Sequence, residues 1–429
     1  MNSFFSVLVL SIFIMPTSVF ADVKGLTLEE AINLALGENL QIKTSGKEIE
    51  AAEARVNRTI SYFLPKIGAE SRYEYFNSPY QLQRGGTADL FIEWNVYNGF
   101  RDWYDRKAKT FELDQFKIAK QKQILFTKVE VEAKFYKLLA IMESVKSFEE
   151  AVKRNDVQKE SARRRRGAGL ASDADILEFD LYNSELQIEL TRLESDLKQT
   201  QSEFRELLGQ RNQGSQVLPQ GKLSHFHVDD TLESLKLRLP NESQTLIGAR
   251  YSVEQAEANK KVAFGGYLPQ LDLKVTHGSR GLNDTLVSPE TMIVGTAKWE
   301  FFSGFDTSNA RSEAAALAGK ADASLKQTEL ATVSQLETAY AKLKGIQDSV
   351  DIETENKIKA YKFFDVVAGE YKRGVKNSTD MRSAAQMLLQ VVLRDIQYRA
   401  DFFEQKALLE KALGGQIKIS KGSLSGHTD

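Results

Sequence analysis

Phe63-Leu64-Pro65-Lys66 opens, and Trp94-Asn95-Val96-Tyr97-Asn98-Gly99-Phe100 closes, the stretch that decides the fold, and the chain contains it twice. The second copy runs from Tyr267-Leu268-Pro269-Gln270 to Trp299-Glu300-Phe301-Phe302-Ser303-Gly304-Phe305. Inside each copy apolar and polar residues alternate in two short segments. Ile67, Ala69, Ser71, Tyr73 and Tyr75 interleave with charged or small residues, and Leu90, Ile92, Trp94 and Val96 do the same. In the second copy the apolar positions are Leu271, Leu273 and Val275, then Ile293, Ala297, Trp299 and Phe301. A period of two predicts strands with one apolar and one polar face. Almost everything else in the sequence reads as helix.

Outward from the first copy, Thr27 with Glu30 three residues on predicts a capped helix start, and the helix is expected to continue through Asn39 to about Tyr62. After the hairpin, Arg101 to Arg165 holds neither proline nor glycine. At ~1.5 Å per residue this is a rod on the order of 95 Å. Gly167-Ala168-Gly169-Leu170-Ala171-Ser172-Asp173 stops it with helix-stop and N-cap chemistry. The return helix carries a heptad seam, Leu186, Leu190, Leu193, Leu197, Thr200, Phe204 and Leu207, and ends at Gly209. The second half repeats the order: a helix from about Asn241, the second hairpin, and a rod from Asp306 to Lys372. That rod has the seam Val333, Leu336, Tyr340, Leu343, Gln347 and Val350; a turn at Gly374 and a return helix to Gly414 follow. Trp94 and Trp299, Gly169 and Gly374, and Gly209 and Gly414 are each 205 positions apart, which marks an internal duplication.

The expected segments are a signal peptide over 1–21, a first repeat over 22–209 and a second over 228–415. The first repeat has its hairpin at 66–98 and tip turn at 166–173; the second has its hairpin at 270–303 and tip turn at 373–379. A linker over 210–227 joins the repeats, and a disordered polar tail over 416–429 ends the chain. The leader rests on the apolar run Phe4 to Met15 followed by Val19-Phe20-Ala21, too short to span a bilayer. No other run reads as a transmembrane helix, so a membrane span must be made of strands. Four strands are too few to close a membrane barrel, which needs about eight, and open edges are not tolerated in lipid. Membrane-embedded strands of this chain therefore have to be pooled across several copies.

Composition excludes other classes. Net charge is −2, from 57 basic and 59 acidic side chains well mixed along 429 residues, so no global field points to nucleic acid. Cysteine is absent, which removes disulfides, thiol catalysis and thiolate metal sites. A mean hydropathy of −0.36 suits a soluble protein but equally a strand-built membrane protein with a polar lumen. No nucleophile, metal or cofactor constellation stands out, so neither an enzyme nor a cofactor is expected. His225 and His227 form a two-ligand pair, but in a linker with no neighbouring carboxylate or thiol, and read as a solvated loop. The run Arg163 to Arg166 suits a helix C-terminus, where cations complement the macrodipole, with contact to a partner protein as its functional reading.

The ordered set of motifs resembles the TolC family of bacterial outer-membrane efflux proteins over roughly Leu26 to Gly414. Leu26-Thr27-Leu28-Glu29-Glu30-Ala31-Ile32 matches at the mature start, as do the aromatic-Leu-Pro hairpin openings and the Gly-Phe pairs at Gly99 and Gly304. Arg165-Arg166-Gly167-Ala168-Gly169-Leu170-Ala171-Ser172-Asp173-Ala174-Asp175-Ile176-Leu177 is similar to the family's tip turn, with Arg166 where the family has Tyr. The resemblance implies a mainly helical fold with β-hairpins, pooled in a homotrimer into a twelve-stranded outer-membrane barrel and a periplasmic helical tunnel. It implies an exit duct of a tripartite efflux or type I secretion system in a Gram-negative outer membrane. Its partners would be a periplasmic adaptor (membrane fusion protein), an inner-membrane pump and outer-membrane lipid. Carried over by position, Asp175, Asp380, Tyr371 and Lys376 fall at the aperture gate, with Lys for the family's Arg, while Ser383 stands where a second ring Asp is expected. Asp175 and Asp380 also suit ordinary helix starts, where acidic groups are favoured. Gly169, Leu170, Ala171, Ser172, Gly374, Val375 and Asn377 fall at the adaptor-docking tip. The competing reading is a periplasmic coiled-coil scaffold or adaptor that never enters the membrane; it explains the heptads but not four alternating strands.

Overall fold

The computed structural model describes residues 25–78, 81–209, 218–282, 285–286 and 289–421; the leader expected over 1–21 lies outside them. In chain order, β1 (Gly25–Leu26), α1 (Leu28–Glu38) and α2 (Leu40–Arg58) lead to strands β2 (Lys66–Ser78) and β3 (Gln81–Asn98). The rod α3 (Arg101–Gly167) and return helix α4 (Asp173–Leu207) complete the first half. Strands β4 (Leu218–Pro219) and β5 (Phe226–Val228) precede α5 (Leu232–Glu242) and α6 (Gln244–Phe264). Then come β6 (Gln270–Leu282), β7 (Thr285–Leu286) and β8 (Glu290–Lys298), the rod α7 (Asp306–Arg373), return helix α8 (Ser378–Leu413) and β9 (Ile419–Lys421).

The rods span 67 and 68 residues, close to 100 Å each at about 1.5 Å per residue. Their apolar stripes face the return helices. Leu186, Leu190, Thr200 and Phe204 of the first seam are buried, as are Leu336, Leu343 and Val350 of the second, within cores that join both halves. Each fully buried leucine of such a seam contributes on the order of 1.5–3 kcal/mol.

Three expectations are corrected. The first helix does not continue through Asn39: the chain breaks there, and the Asn39 side chain accepts hydrogen bonds from the Gln41 and Ile42 amides to start α2. The second half breaks in the same way at Ser243, whose side chain accepts from the Leu246 amide, so α5 begins well before Asn241. Short polar side chains that can cap a new helix compete with continuation of the old one. Beyond Gly414 the chain is ordered to Lys421. Ile417 is buried, and β9 pairs antiparallel with β5, so the segment read as linker and the start of the segment read as tail hold each other in place.

The hairpin strands form one antiparallel sheet in the order β2-β3-β6-β8, with β7 pairing the far end of β6 and the two hairpins side by side. Ile92 sits across from Ile67 on one side and Val275 on the other, and Val275 faces Ile293, so the apolar positions of all four strands line up. That face is bare: Ile67, Tyr73, Leu90, Val96 and Ile293 are exposed. On the opposite face Lys274 pairs with Glu93 at 2.5 Å and Asn95 donates to Asp272 at 3.0 Å. A belt of exposed aromatics, Phe63, Trp94, Phe100, Trp103, Trp299, Phe301, Phe302 and Phe305, marks the end of the sheet nearest the rods. The duplication extends to single hydrogen bonds. Trp94 Nε1 donates to the Phe63 carbonyl and Trp299 Nε1 to the Tyr267 carbonyl, both at 3.1 Å. Strand β8 stops at Lys298, so Trp299 and Phe301, read as strand positions, lie just past it. Among the described residues no helix is long and apolar enough to cross a membrane.

Candidate functional site

The far ends of the two rods carry the candidate site. Each rod stops in a turn whose glycine has positive φ, +74° at Gly169 and +82° at Gly374, a conformation an L side chain resists. Each turn closes with the same pair of bonds. Gly169 N donates to the Arg166 carbonyl and Leu170 N to that of Arg165; Gly374 N donates to Tyr371 and Val375 N to Glu370. Leu170 and Val375 then project into solvent, 69% and 70% exposed. Ser172 and Asn377 each cap the return helix, and the carboxylates of Asp175 and Asp380 close the two capping boxes.

Side chains separate the two tips. Tyr371 is 1% exposed, its ring edge-on to Phe179 at 6.1 Å and covered by the Arg165 guanidinium at 4.6 Å. Arg165 also donates to the Tyr371 carbonyl at 2.8 Å. The tyrosine hydroxyl is buried with no hydrogen-bond partner among the described residues. Burial pushes its pKa up, opposed by the nearby Arg165 charge. Glu178 accepts from Ser378 Oγ at 2.8 Å, Thr379 Oγ1 at 3.2 Å and Arg382 Nε at 2.9 Å. Ser378 also donates to Asp175. That bond first, then the Ser172 amide, holds the Asp175 carboxyl below its usual range.

Of the residues picked out by position, Asp175 and Tyr371 therefore meet in the contact between the first and second helical hairpins of one chain. Asp380 and Lys376 stay apart from that contact: they approach each other at 3.8 Å and are otherwise exposed. Arg165, Glu178, Ser378 and Arg382 were not singled out, although Arg165 lay in a run read mainly as helix-dipole compensation. The signal was present in the repeat. Glu178 and Ser383 occupy the same place 205 positions apart, as do Arg166 and Tyr371, and each mismatch marks a place where the halves are not interchangeable. Arg166, in the place of Tyr371, is exposed and pairs with Asp173 at 2.9 Å.

The reading of His225 and His227 as lacking a carboxylate is also corrected. Asp351, on the second rod, lies against both rings.

A family model described as outer membrane efflux protein matches residues 31–210 and 238–415. Among solved structures, the chain is similar to the outer membrane protein VceC of Vibrio cholerae, at 15% identity, covering 91% of this chain and 96% of that one with a TM-score of 0.76. It is similar to the CmeC outer membrane channel of Campylobacter jejuni, at 15% identity, 91% and 86% coverage and a TM-score of 0.77. It is likewise similar to the open state of the MtrE outer membrane channel of Neisseria gonorrhoeae, at 15% identity, 92% and 90% coverage and a TM-score of 0.77. At these identities the likeness is one of fold. No curated protein matches the chain in sequence.

Proposed function

The chain belongs to the outer membrane efflux protein family, and on that premise we propose that three copies assemble into a single passive duct whose tips form its periplasmic gate. It is an outer-membrane efflux channel that reaches into the periplasm. The observation that carries the assembly is the sheet. Among the described residues it ends on both sides in edge strands, β2 and β8, each paired along one side only, and exposes an apolar face fringed by aromatics. An unpaired edge in lipid leaves amide groups without partners, so β8 of one copy has to meet β2 of the next. Three sheets of this kind close a twelve-stranded ring, within the range of outer-membrane barrels. The rods below the ring continue the opening to the tips.

At the tips, Asp380 with Lys376 supplies the charge that faces the lumen, and Asp175, Tyr371, Arg165 and Glu178 hold the two hairpins of each copy together. Rings of carboxylates around a pore favour cations, and opening requires the latch between hairpins to part. The exposed Leu170 and Val375, with the turns Gly169–Ser172 and Gly374–Asn377, form the docking surface for a periplasmic adaptor, which links the duct to an inner-membrane pump. No catalytic step is part of this reading.

Planar-bilayer recording of the purified channel is the test. Asp380→Asn should alter conductance or reduce cation preference while leaving the assembly intact by size. An unchanged trace removes Asp380 from the lumen. A chain that fractionates as a soluble periplasmic monomer ends the channel reading altogether.

A further inference from the structure

We propose that His225, His227 and Asp351 form a binding site for a divalent transition-metal ion of the zinc class, which fastens the segment between the two repeats to the second rod. The sequence places two imidazoles at a spacing of two, and strand geometry puts such residues on one face. His225 immediately precedes β5 and His227 lies within it, held in register by pairing with Ser420 of β9. The rings meet edge to face at 4.7 Å. Opposite them, α7 presents Asp351, whose Oδ1 lies 2.6 Å from His225 Nε2 and 3.1 Å from His227 Nε2. One ligand atom from each residue falls within 4.8 Å of the others, and among the described residues this is the cluster with that property. Donors bound tetrahedrally to zinc at about 2.0–2.1 Å stand roughly 3.3 Å apart, so small side-chain adjustments suffice.

The state of His225 singles it out. Its side chain is only 10% exposed, and neither ring nitrogen has a hydrogen-bond partner among the described residues. Nε2 is close to the carboxylate without the alignment that N–H donation requires. Buried polar atoms are nearly always satisfied, and a buried imidazole facing a carboxylate and a second imidazole offers a metal ion an N2O donor set.

The scaffold around the cluster is built. Val228 N donates to Gln347 Oε1 at 3.0 Å, and Lys344 Nζ donates to the Val228 carbonyl at 3.1 Å, so the rod grips the strand one turn before Asp351. The neighbouring cation, Arg399, is matched by Asp395 at 2.8 Å and by the Leu223 carbonyl at 3.1 Å. His227 and Asp351 remain partly exposed, at 34% and 43%, which gives an ion its way in. Imidazole and carboxylate suit zinc, and with no cysteine in the chain no thiolate competes for it.

The test is isothermal titration of Zn²⁺ into the untagged, EDTA-stripped and dialysed full chain in detergent. One ion per chain is expected, with a dissociation constant in the micromolar range or tighter. Loss of an outer-shell partner typically costs 10–100-fold in metal affinity, so His227→Ala, which removes a donor, and Asp351→Asn, which leaves only a neutral amide oxygen, should each weaken binding by about 100-fold or more. His277→Ala, on the sheet, should leave it unchanged. His227→Gln guards against a folding defect, since its stability in EDTA should equal that of the parent while the stabilisation by Zn²⁺ disappears. Unsaturable binding, or saturable binding that survives both His227→Ala and Asp351→Asn, overturns the site.

Discussion

The two rod tips share a backbone and differ in chemistry. Gly169 and Gly374 adopt the same left-handed turn, the same pair of amide bonds closes each, and Asp175 and Asp380 cap the same point of the helix that follows. Yet the first tip supplies Arg165 and Glu178, while the second supplies the Tyr371 ring and the hydroxyls of Ser378 and Thr379 with Arg382. Two identical tips would place like against like. Duplication followed by divergence at a few positions turned a repeated turn into a plug and a socket. Backbone geometry can be copied, whereas complementarity has to be asymmetric.

Four tests break or sharpen that comparison. The largest effect belongs to Tyr371→Ala, which empties a fully buried aromatic site and should cost about 3–5 kcal/mol. The same truncation at the corresponding Arg166 should cost no more than about 0.5 kcal/mol, because that side chain is exposed. Denaturant midpoints of the two variants, compared side by side, check the contrast, and equal values would end it. Next, Glu178→Ala removes the acceptor shared by Ser378, Thr379 and Arg382, at a cost of about 1–3 kcal/mol. Hydrogen exchange should quicken at both tips together, since one residue serves both; faster exchange confined to α4 would show that the hairpins are not coupled through it.

Gly169→Ala and Gly374→Ala should cost about 1–2 kcal/mol each, from the positive φ alone. A Cβ at Gly169 meets nothing within 4 Å, and one at Gly374 meets only the end of Arg165 at 3.8 Å. Clearly unequal losses in thermal melts would show that the turns are alike only in shape. The smallest effect is that of pH. The Asp175 pKa is lowered from 3.8 in the folded chain, so its bonds favour the charged form. Their contribution is complete above about pH 4 and fades as pH falls through the depressed value. Tip protection followed from pH 6 downward should decline only at the acid end, and Asp175→Asn should flatten that decline.

The order of elements was legible because its signals are either local or repeated at a fixed offset. Alternation named the strands, freedom from glycine and proline named the rods, and an offset of 205 named the repeat. The breaks at Asn39 and Ser243 were missed because both residues sit in stretches that are otherwise good helix, and a cap shows itself only by the amides it captures. Order from Gln416 to Lys421 was missed because Ile419–Lys421 are held by pairing with Phe226–Val228, a partner far away in sequence. At the tips, the expectation of a gate drew attention to Asp175 and Tyr371, whereas Glu178 looked like one more surface acid on a helix.

By itself the amino-acid sequence determined what each segment is: strand, rod, turn or cap, and that the whole is made twice. The first depends on neighbours within a turn or two of chain, and the second on matching residues at one fixed offset. Only the tertiary structure decided which side chains meet. Arg165 reaches the Tyr371 carbonyl across 206 positions, and His227 reaches Asp351 across 124. Periodicity carries no record of such contacts. Their partners are selected by how two long helices and a short strand come to lie together, and a charge acquires its role only when packing removes the water around it.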